Sequence, residues 1–297
     1  MPAVLKSFSE FVTVRGNVRL HGRTGGNPDG PPMLLLHGHP QSHVMWHRVA
    51  PELAQKFFIV MMDLRGYGDS GRPASDESHI VYSKREMAQD AIAVMKHHGF
   101  DRFQVLAHDR GARVAHRLAA DFPDAVERLM LLDIAPTLAM YENTTEAFAK
   151  AYWHWFFLIQ SPPLPEALID SDPVRFVRSV LGKRHAGLAA FAPEALAEYE
   201  RCAQIAGSGH SIAEDYRASA SIDLVHDRAD VLAGHKLPQP VRVLWGEQGI
   251  VGKCFDVLAL WRERAEQVSG QSVPCGHYIA EELPAVLLDE AFQFFRS

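Results

Sequence analysis

Val105-Leu106-Ala107-His108-Asp109-Arg110-Gly111-Ala112-Arg113 is an apolar run that ends in a small-His-Asp-Arg-Gly pentad and passes into a helical pattern. Phe103 to Ala107 is short and apolar enough for a buried strand, and Val114, Leu118 and Phe122 share one face of the helix that follows. Small residues at 107 and 111 permit a sharp turn that projects residue 109, the geometry of the G-x-S-x-G motif with Asp in place of Ser. The exchange alters the chemistry. A hydroxyl needs a base to take its proton, whereas a carboxylate is anionic at neutral pH and attacks a carbon bearing a leaving group directly. Asp109 therefore reads as a nucleophile.

Outward from this elbow, strands and helices alternate. Phe8 to Arg15 and Asn17 to Gly22 read as edge strands joined at Gly16, and Met33 to Leu36 and Phe57 to Met62 as buried strands. Asp63 to Gly71 is a turn-rich loop with a structural role, since no Gly-Lys-Ser/Thr follows its glycines. Glu86 to His98 has helical spacing, and Arg128 to Leu132, ending at Asp133, completes a β-α-β unit with the elbow. Such sheets gather ligand groups at the carboxyl ends of their strands, where Asp109 and Asp133 both fall. The alternation stops between 137 and 214, where Ala, Phe, Trp and Pro dominate. Helices are expected there around Thr145 to Gln160 and Pro193 to Ala206. This stretch reads as a helical cap that excludes water from the strand ends. After it come a strand at Val241 to Gly246, a helix at Cys254 to Val268, a last strand at Gln271 to Pro274 and a closing helix at Pro284 to Phe295. The expected organisation is a mostly parallel α/β core over residues 1–136 and 215–297, with the cap over 137–214.

With 297 residues, 47% of them hydrophobic, the chain can bury the core of one large α/β domain with an insertion. A net charge of −6 with scattered basic residues argues against nucleic acid as a partner. Met1 to Lys6 starts no apolar leader core, and no apolar run approaches the ~20 residues of a membrane helix, so a cytoplasmic protein without membrane attachment is expected. Cys202, Cys254 and Cys275 are odd in number and lack paired metal spacing, so they read as reduced packing residues.

An ester on Asp109 must be hydrolysed, which calls for a histidine beside it. Among 16 histidines, His277 is placed best, in Pro274-Cys275-Gly276-His277 beyond the last strand, and it matches the order nucleophile, acid, histidine. Asp133 is the first candidate for the acid. Glu247 is the reserve, because Gly249 stands where the loop after the penultimate strand would carry an Asp. The backbone N–H groups of His39 and Arg110 are nominated as an oxyanion hole. Arg110 and Arg113, three residues apart in the first turn of the elbow helix, share a face and could hold a substrate carboxylate; the alternative is pairing with acidic neighbours. Gly209-His210-Ser211-Ile212-Ala213 imitates a serine elbow but lacks a preceding strand.

Along nearly its whole length the chain resembles the haloacetate and fluoroacetate dehalogenases of the α/β-hydrolase superfamily. The resemblance is carried by Pro40 to Trp46, Asp63 to Ser70, His108-Asp109-Arg110-Gly111 with Arg113, Tyr152-Trp153-His154-Trp155, Asp215-Tyr216-Arg217-Ala218 and Ile222-Asp223-Leu224. In related haloalkane dehalogenases and epoxide hydrolases a Trp typically follows the nucleophile, so Arg110 points to the acid-cleaving branch. The resemblance implies that Arg110 and Arg113 bind the substrate carboxylate, and that His154, Trp155 and Tyr216 donate to the departing halide. It further implies a homodimer acting on a small anionic 2-haloacid, with no metal or organic cofactor. His154 and Trp155 are consecutive, so both reach one ion only if it sits between them or the helix is irregular. The chain departs from the family at Ala107, Ala112 and Cys275, where Gly is usual, and at His39, where an aromatic residue is usual. Gly182-Lys183-Arg184 replaces a Gly-Trp pair. Two other readings remain open: an epoxide hydrolase with the same nucleophile and with Tyr152 and Tyr216 as acids, and a catalytically silent α/β-hydrolase receptor.

Overall fold

The computed structural model describes residues 3–295; Met1 and Pro2, the start of the stretch read above as lacking a leader, lie outside the described residues. One eight-stranded sheet organises the chain, with strands β1 (Ser9–Arg15), β2 (Val18–Gly26), β3 (Pro32–Leu36), β4 (Phe58–Met62), β5 (Phe103–His108), β6 (Val126–Leu132), β7 (Leu237–Gly246) and β8 (Ala265–Val273). Their order is β1-β2-β4-β3-β5-β6-β7-β8. Strands β3 to β8 run parallel, and β1 and β2 are antiparallel additions. Only β1 lies at the edge on that side. β2 was expected there too, but it pairs with β4 as well as β1, because β2 continues through Gly26 along the full length of β4.

The central strands are buried on both faces, so their apolar residues sort by parity. Leu34, Leu36, Val105, Ala107, Leu129 and Leu131 pack with Met87, Val94, Val114 and Leu118 of the helices Lys84–His97 and Asp109–Asp121. Met33, Leu35, Leu106, Met130 and Leu132 pack on the other side with Trp46, Val49, Leu53, Leu287 and Ala291. This is the arrangement of a parallel sheet covered by helices on both faces. The shared parallel direction of β3 to β8 brings their carboxyl ends to one side of the sheet, from which residues 37–42, 109, 133 and 275–278 continue.

Between β6 and β7 the chain forms helices from Thr137 to Leu232. The boundary drawn at 214/215 falls inside the helix Ser208–Ala220. The helix expected over 145–160 is two, Glu146–Ala151 and Trp153–Leu158, broken at Tyr152 where ψ turns to 34°. The helix expected over 254–268 is corrected: Val257–Arg262 is helical, but Ala265 to Val268 belongs to β8, paired in parallel with β7. Glu-Gln-Val reads equally well in a helix, and pairing with a neighbouring strand decides otherwise. The decoy Ser211 sits within a helix, with its hydroxyl on the Tyr82 hydroxyl. Cys202, Cys254 and Cys275 are free. Among the described residues no helix is long and apolar enough to cross a membrane.

Candidate active site

The elbow forms where β5 passes directly into the helix Asp109–Asp121. Asp109 takes φ +43°, a left-handed conformation that costs a non-glycine residue about 1–3 kcal/mol and survives only where the surroundings enforce it. They do so through close packing. Gly111 lies against the Leu36 and His37 carbonyls, its N–H donating to His37 O at 2.9 Å, so a side chain there would collide with β3. A Cβ on Gly38 would fall 2.6 Å from Asp109 Cβ, which brings the 37–40 loop against the nucleophile position.

Asp109, Asp133 and His277 meet in one line. Asp109 Oδ2 is 3.3 Å from His277 Nε2, and Asp133 Oδ2 is 2.5 Å from His277 Nδ1. Asp133 also adopts a positive φ, +51°; its Oδ1 accepts from Gly246 N–H at 2.9 Å, and its own N–H donates to Leu244 O. Glu247, the reserve, is exposed and faces Ser272. Gly249 accounts for the choice, because a Cβ there would already stand 3.3 Å from Asp133 Oδ1, so the two positions compete for one space.

All three groups are buried, and their charges compensate. Burial acts to raise the Asp109 pKa, but the His277 hydrogen bond and charge and the Arg113 guanidinium outweigh it and hold the carboxyl well below the usual range. Burial acts to lower the His277 pKa, while its hydrogen bonds to Asp109 and Asp133 raise it above the ordinary histidine value. His108 is pushed down to about 4 by burial and by His277, and as a neutral ring it donates from Nε2 to the His277 carbonyl at 2.9 Å. His108, just before the elbow, thus holds the loop that carries His277, a role that motif reading did not assign.

The two arginines of the elbow helix have different surroundings. Arg110 is fully buried and paired: Nε and Nη2 donate to Asp215 Oδ2 and Oδ1 at 2.8 and 2.9 Å, and Nη2 also reaches Ser219 Oγ at 2.6 Å. Asp215 in turn accepts from the Tyr67 hydroxyl at 2.7 Å and from Lys84, which faces Asp223 as well. The acidic pairing left open for Arg110 is therefore present, yet Nη1 stays without a partner. Arg113 has no carboxylate within ion-pair distance among the described residues. It bonds Thr137 Oγ1 at 2.8 Å and the Ala135 carbonyl at 3.3 Å, and its Nε is buried and unpartnered.

Each guanidinium lies over an aromatic ring from the helical segment, Arg110 4.1 Å from the Tyr216 centroid and Arg113 4.6 Å from that of Trp155. Both His154 and Trp155 approach Tyr216, with centroids 5.9 and 6.4 Å apart. The two side chains leave one helix at consecutive positions, and the Tyr216 ring packs against both. The Tyr216 hydroxyl and Trp155 Nε1 are buried without partners, as is Asp109 Oδ1. His154 is held well below the usual histidine range by burial and by Arg184, so it is neutral. His39 lies among the same rings, 5.4 Å from Tyr216 and 6.1 Å from His154, and burial lowers it to about 3. The Arg110 N–H, in the first helical turn, has no intrahelical acceptor.

The sequence assigned no metal ligands. Among the described residues His21, His43 and Asp63 bring ligand atoms within 4.8 Å of one another. Asp63 accepts from both rings at 2.7 and 2.9 Å and from the backbone N–H groups of His43 and Asp69. These bonds pin the 63–71 loop.

Residues 31–284 match the alpha/beta hydrolase fold family. The chain is 40% identical over 282 residues to a fluoroacetate dehalogenase from Burkholderia sp, covering 95% of this chain and 91% of that protein. It is 36% identical over 281 residues to a soluble epoxide hydrolase from Corynebacterium sp. (strain C12), covering 93% of each. The crystal structure of ALR0039 from Nostoc sp PCC 7120 superposes with a TM-score of 0.94 at 52% identity over 98% of both chains.

Proposed function

Because the chain belongs to the alpha/beta hydrolase fold family, we propose that this hydrolase cleaves the carbon–halogen bond of haloacetates through an aspartyl ester. One observation carries the reading. Two guanidinium nitrogens, Arg110 Nη1 and Arg113 Nε, are buried without protein partners on the same helix turn as the free Asp109 Oδ1. A carboxylate satisfies both nitrogens, which presents its α-carbon to Asp109.

In the first step Asp109 Oδ1 attacks the α-carbon in line. The C–O bond forms as the carbon–halogen bond breaks, and the halide leaves with its electron pair toward His154, Trp155 Nε1 and the Tyr216 hydroxyl. Fluoride needs such donors preorganised in a dry site, because its developing charge is concentrated on a small atom. Water then attacks the Asp109 carboxyl carbon and gives a proton to His277 Nε2, and Asp133 stabilises the imidazolium. The oxyanion rests on the His39 and Arg110 N–H groups. Its collapse breaks the ester C–O bond; the departing alkoxide takes the proton back from His277 Nε2 and leaves as the 2-hydroxyacid, and Asp109 returns to the carboxylate by losing its proton to solvent. The helical segment acts as the cap.

The soluble epoxide hydrolase relative favours a second reading, in which Tyr216 and Tyr152 protonate an epoxide opened by Asp109. Two buried guanidinium groups beside Asp109 weigh against a neutral substrate. Halide release from fluoroacetate, chloroacetate and 2-chloropropionate, compared with diol formation from epoxides, separates the two. The expected result is halide release that Asp109→Asn lowers by about 10⁴-fold or more. A single turnover in ¹⁸O-labelled water should give product whose new oxygen is unlabelled, because it comes from Asp109. Label in that first product would sink the ester, and diol without halide would select the second reading.

A further inference from the structure

Arg184 brings a third cation to this site, from a turn of the helical segment. Its guanidinium lies 4.5 Å from the centroid of Tyr152, a ring stacked 5.5 Å from His154 and edge-on to His277 at 6.5 Å. The next residue seats the turn: a Cβ on Gly276 would stand 3.0 Å from His185 Cβ, so the 182–187 turn rests on the loop that carries His277. No carboxylate lies within ion-pair distance of Arg184 among the described residues. The Asp109 and Asp133 charges act on it, and it acts on His154 and His277 in return. A half-buried cation without a counterion in a catalytic cleft is costly unless an anion arrives with the ligand.

Arg184 does not belong to the clamp formed by the other two arginines. Arg113 lies over Trp155, Trp155 is 5.7 Å from Tyr152, and Arg184 lies over Tyr152, so the two cations stack on different rings of one aromatic cluster. A carboxylate held by Arg110 and Arg113 leaves Arg184 to a group beyond the α-carbon. We propose that Arg184 takes a second carboxylate, so that the site selects 2-halo dicarboxylic acids such as 2-chlorosuccinate over monoacids of similar size. The inference rests on the dehalogenase reading for its chemistry, but its binding component does not.

The test compares 2-chlorosuccinate with 2-chlorobutyrate as substrates of the wild type, Arg184→Gln and Arg184→Lys. In parallel, calorimetry measures succinate and butyrate binding to Asp109→Asn with and without Arg184→Gln. The wild type should favour chlorosuccinate in kcat/KM by about ten- to hundredfold, the strength of a charge-assisted hydrogen bond. Arg184→Gln should erase that margin while leaving chlorobutyrate within about threefold, and Arg184→Lys should keep most of it. Equal losses on both substrates would assign Arg184 to the first carboxylate or to the protonation of His277, and would overturn the proposal, as would no change on either. If no acid yields halide but succinate outbinds butyrate and Arg184→Gln removes the difference, the dehalogenase reading fails and the second-carboxylate site stands.

Discussion

The two halves of the site are held by different means. On the sheet side, Asp109 and Asp133 end adjacent parallel strands and His277 follows β8, and both carboxylates are aimed by strained backbone packed against neighbouring strands. On the helical side, His154, Trp155, Tyr216 and Arg184 come from separate helices and a turn, and they are held by ring stacking and cation–π contact. The difference suggests a division of labour. In the proposed mechanism the backbone-fixed groups supply the reaction geometry, while the side-chain-fixed groups set what is bound and what leaves. The arginines show the junction: Arg110 is locked to the helical side by an ion pair with Asp215, whereas Arg113 reaches it without an ion pair, through the Thr137 hydroxyl and the Trp155 ring.

The largest expected effect lies on the sheet side. His277→Gln should slow ester hydrolysis by about 10²–10⁴-fold while sparing the first displacement. One halide should then be released per site in a burst, with a carboxymethyl group left on Asp109 and visible by intact mass. Full steady-state turnover in this variant would break the division.

Next come the pairs across the junction. Asp215→Asn removes the charge facing buried Arg110 and Lys84 and should cost about 3–5 kcal/mol of stability in urea unfolding. Arg113→Met breaks no ion pair and should cost less, while raising KM by about ten- to hundredfold. Equal stability losses would mean that the two arginines are anchored alike.

The pH dependence should divide the two steps. Asp109 is held well below the ordinary carboxylate range, so the halide burst should persist down to about pH 5. His277 must be neutral to accept a proton, and steady-state turnover should fall about tenfold per pH unit once it is protonated. Esterification removes the Asp109 charge, one of the causes that raise the His277 pKa, so this acid limb should lie below the titration of His277 in the free protein. Stability runs the other way: the raised His277 pKa stabilises the fold below the unfolded histidine value, and that contribution is lost as pH rises through the folded one. A burst and a steady state that fail together at acid pH would refute the separation.

The smallest effect is expected from Tyr216→Phe, which keeps the ring under Arg110 and removes one donor. Fluoroacetate turnover should drop about tenfold and chloroacetate turnover less, because the better leaving group needs less help. Equal losses would remove Tyr216 from the halide site.

Much of the sheet side is legible in the chain. A strand, an elbow and a helix follow from local pattern, and Asp109, Asp133 and His277, the residues proposed as nucleophile, acid and histidine, fall at or just beyond strand ends, so residues far apart in sequence can be placed by topology. Asp133 needed only the observation that position 249 is Gly. The errors arose where local pattern was neutral. Ala265 to Val268 became strand by pairing with β7, and β2 left the edge by pairing with β4. On the helical side, local pattern could not reveal that the helical stretch breaks at Tyr152, or that Tyr216 packs against both His154 and Trp155. Nor could it show that Asp215, 105 residues from Arg110, neutralises it.

Periodicity and turn chemistry act between neighbours in the chain, and they sufficed for most of the sheet and for the elbow that brings Asp109 to the end of its strand. Which cations keep their charge for a ligand depends on what packs against each guanidinium. That is a property of long-range contacts, in which burial strengthens every pairing and every missing one. Only the folded chain decided that Arg110 is balanced while Arg113 and Arg184 are not.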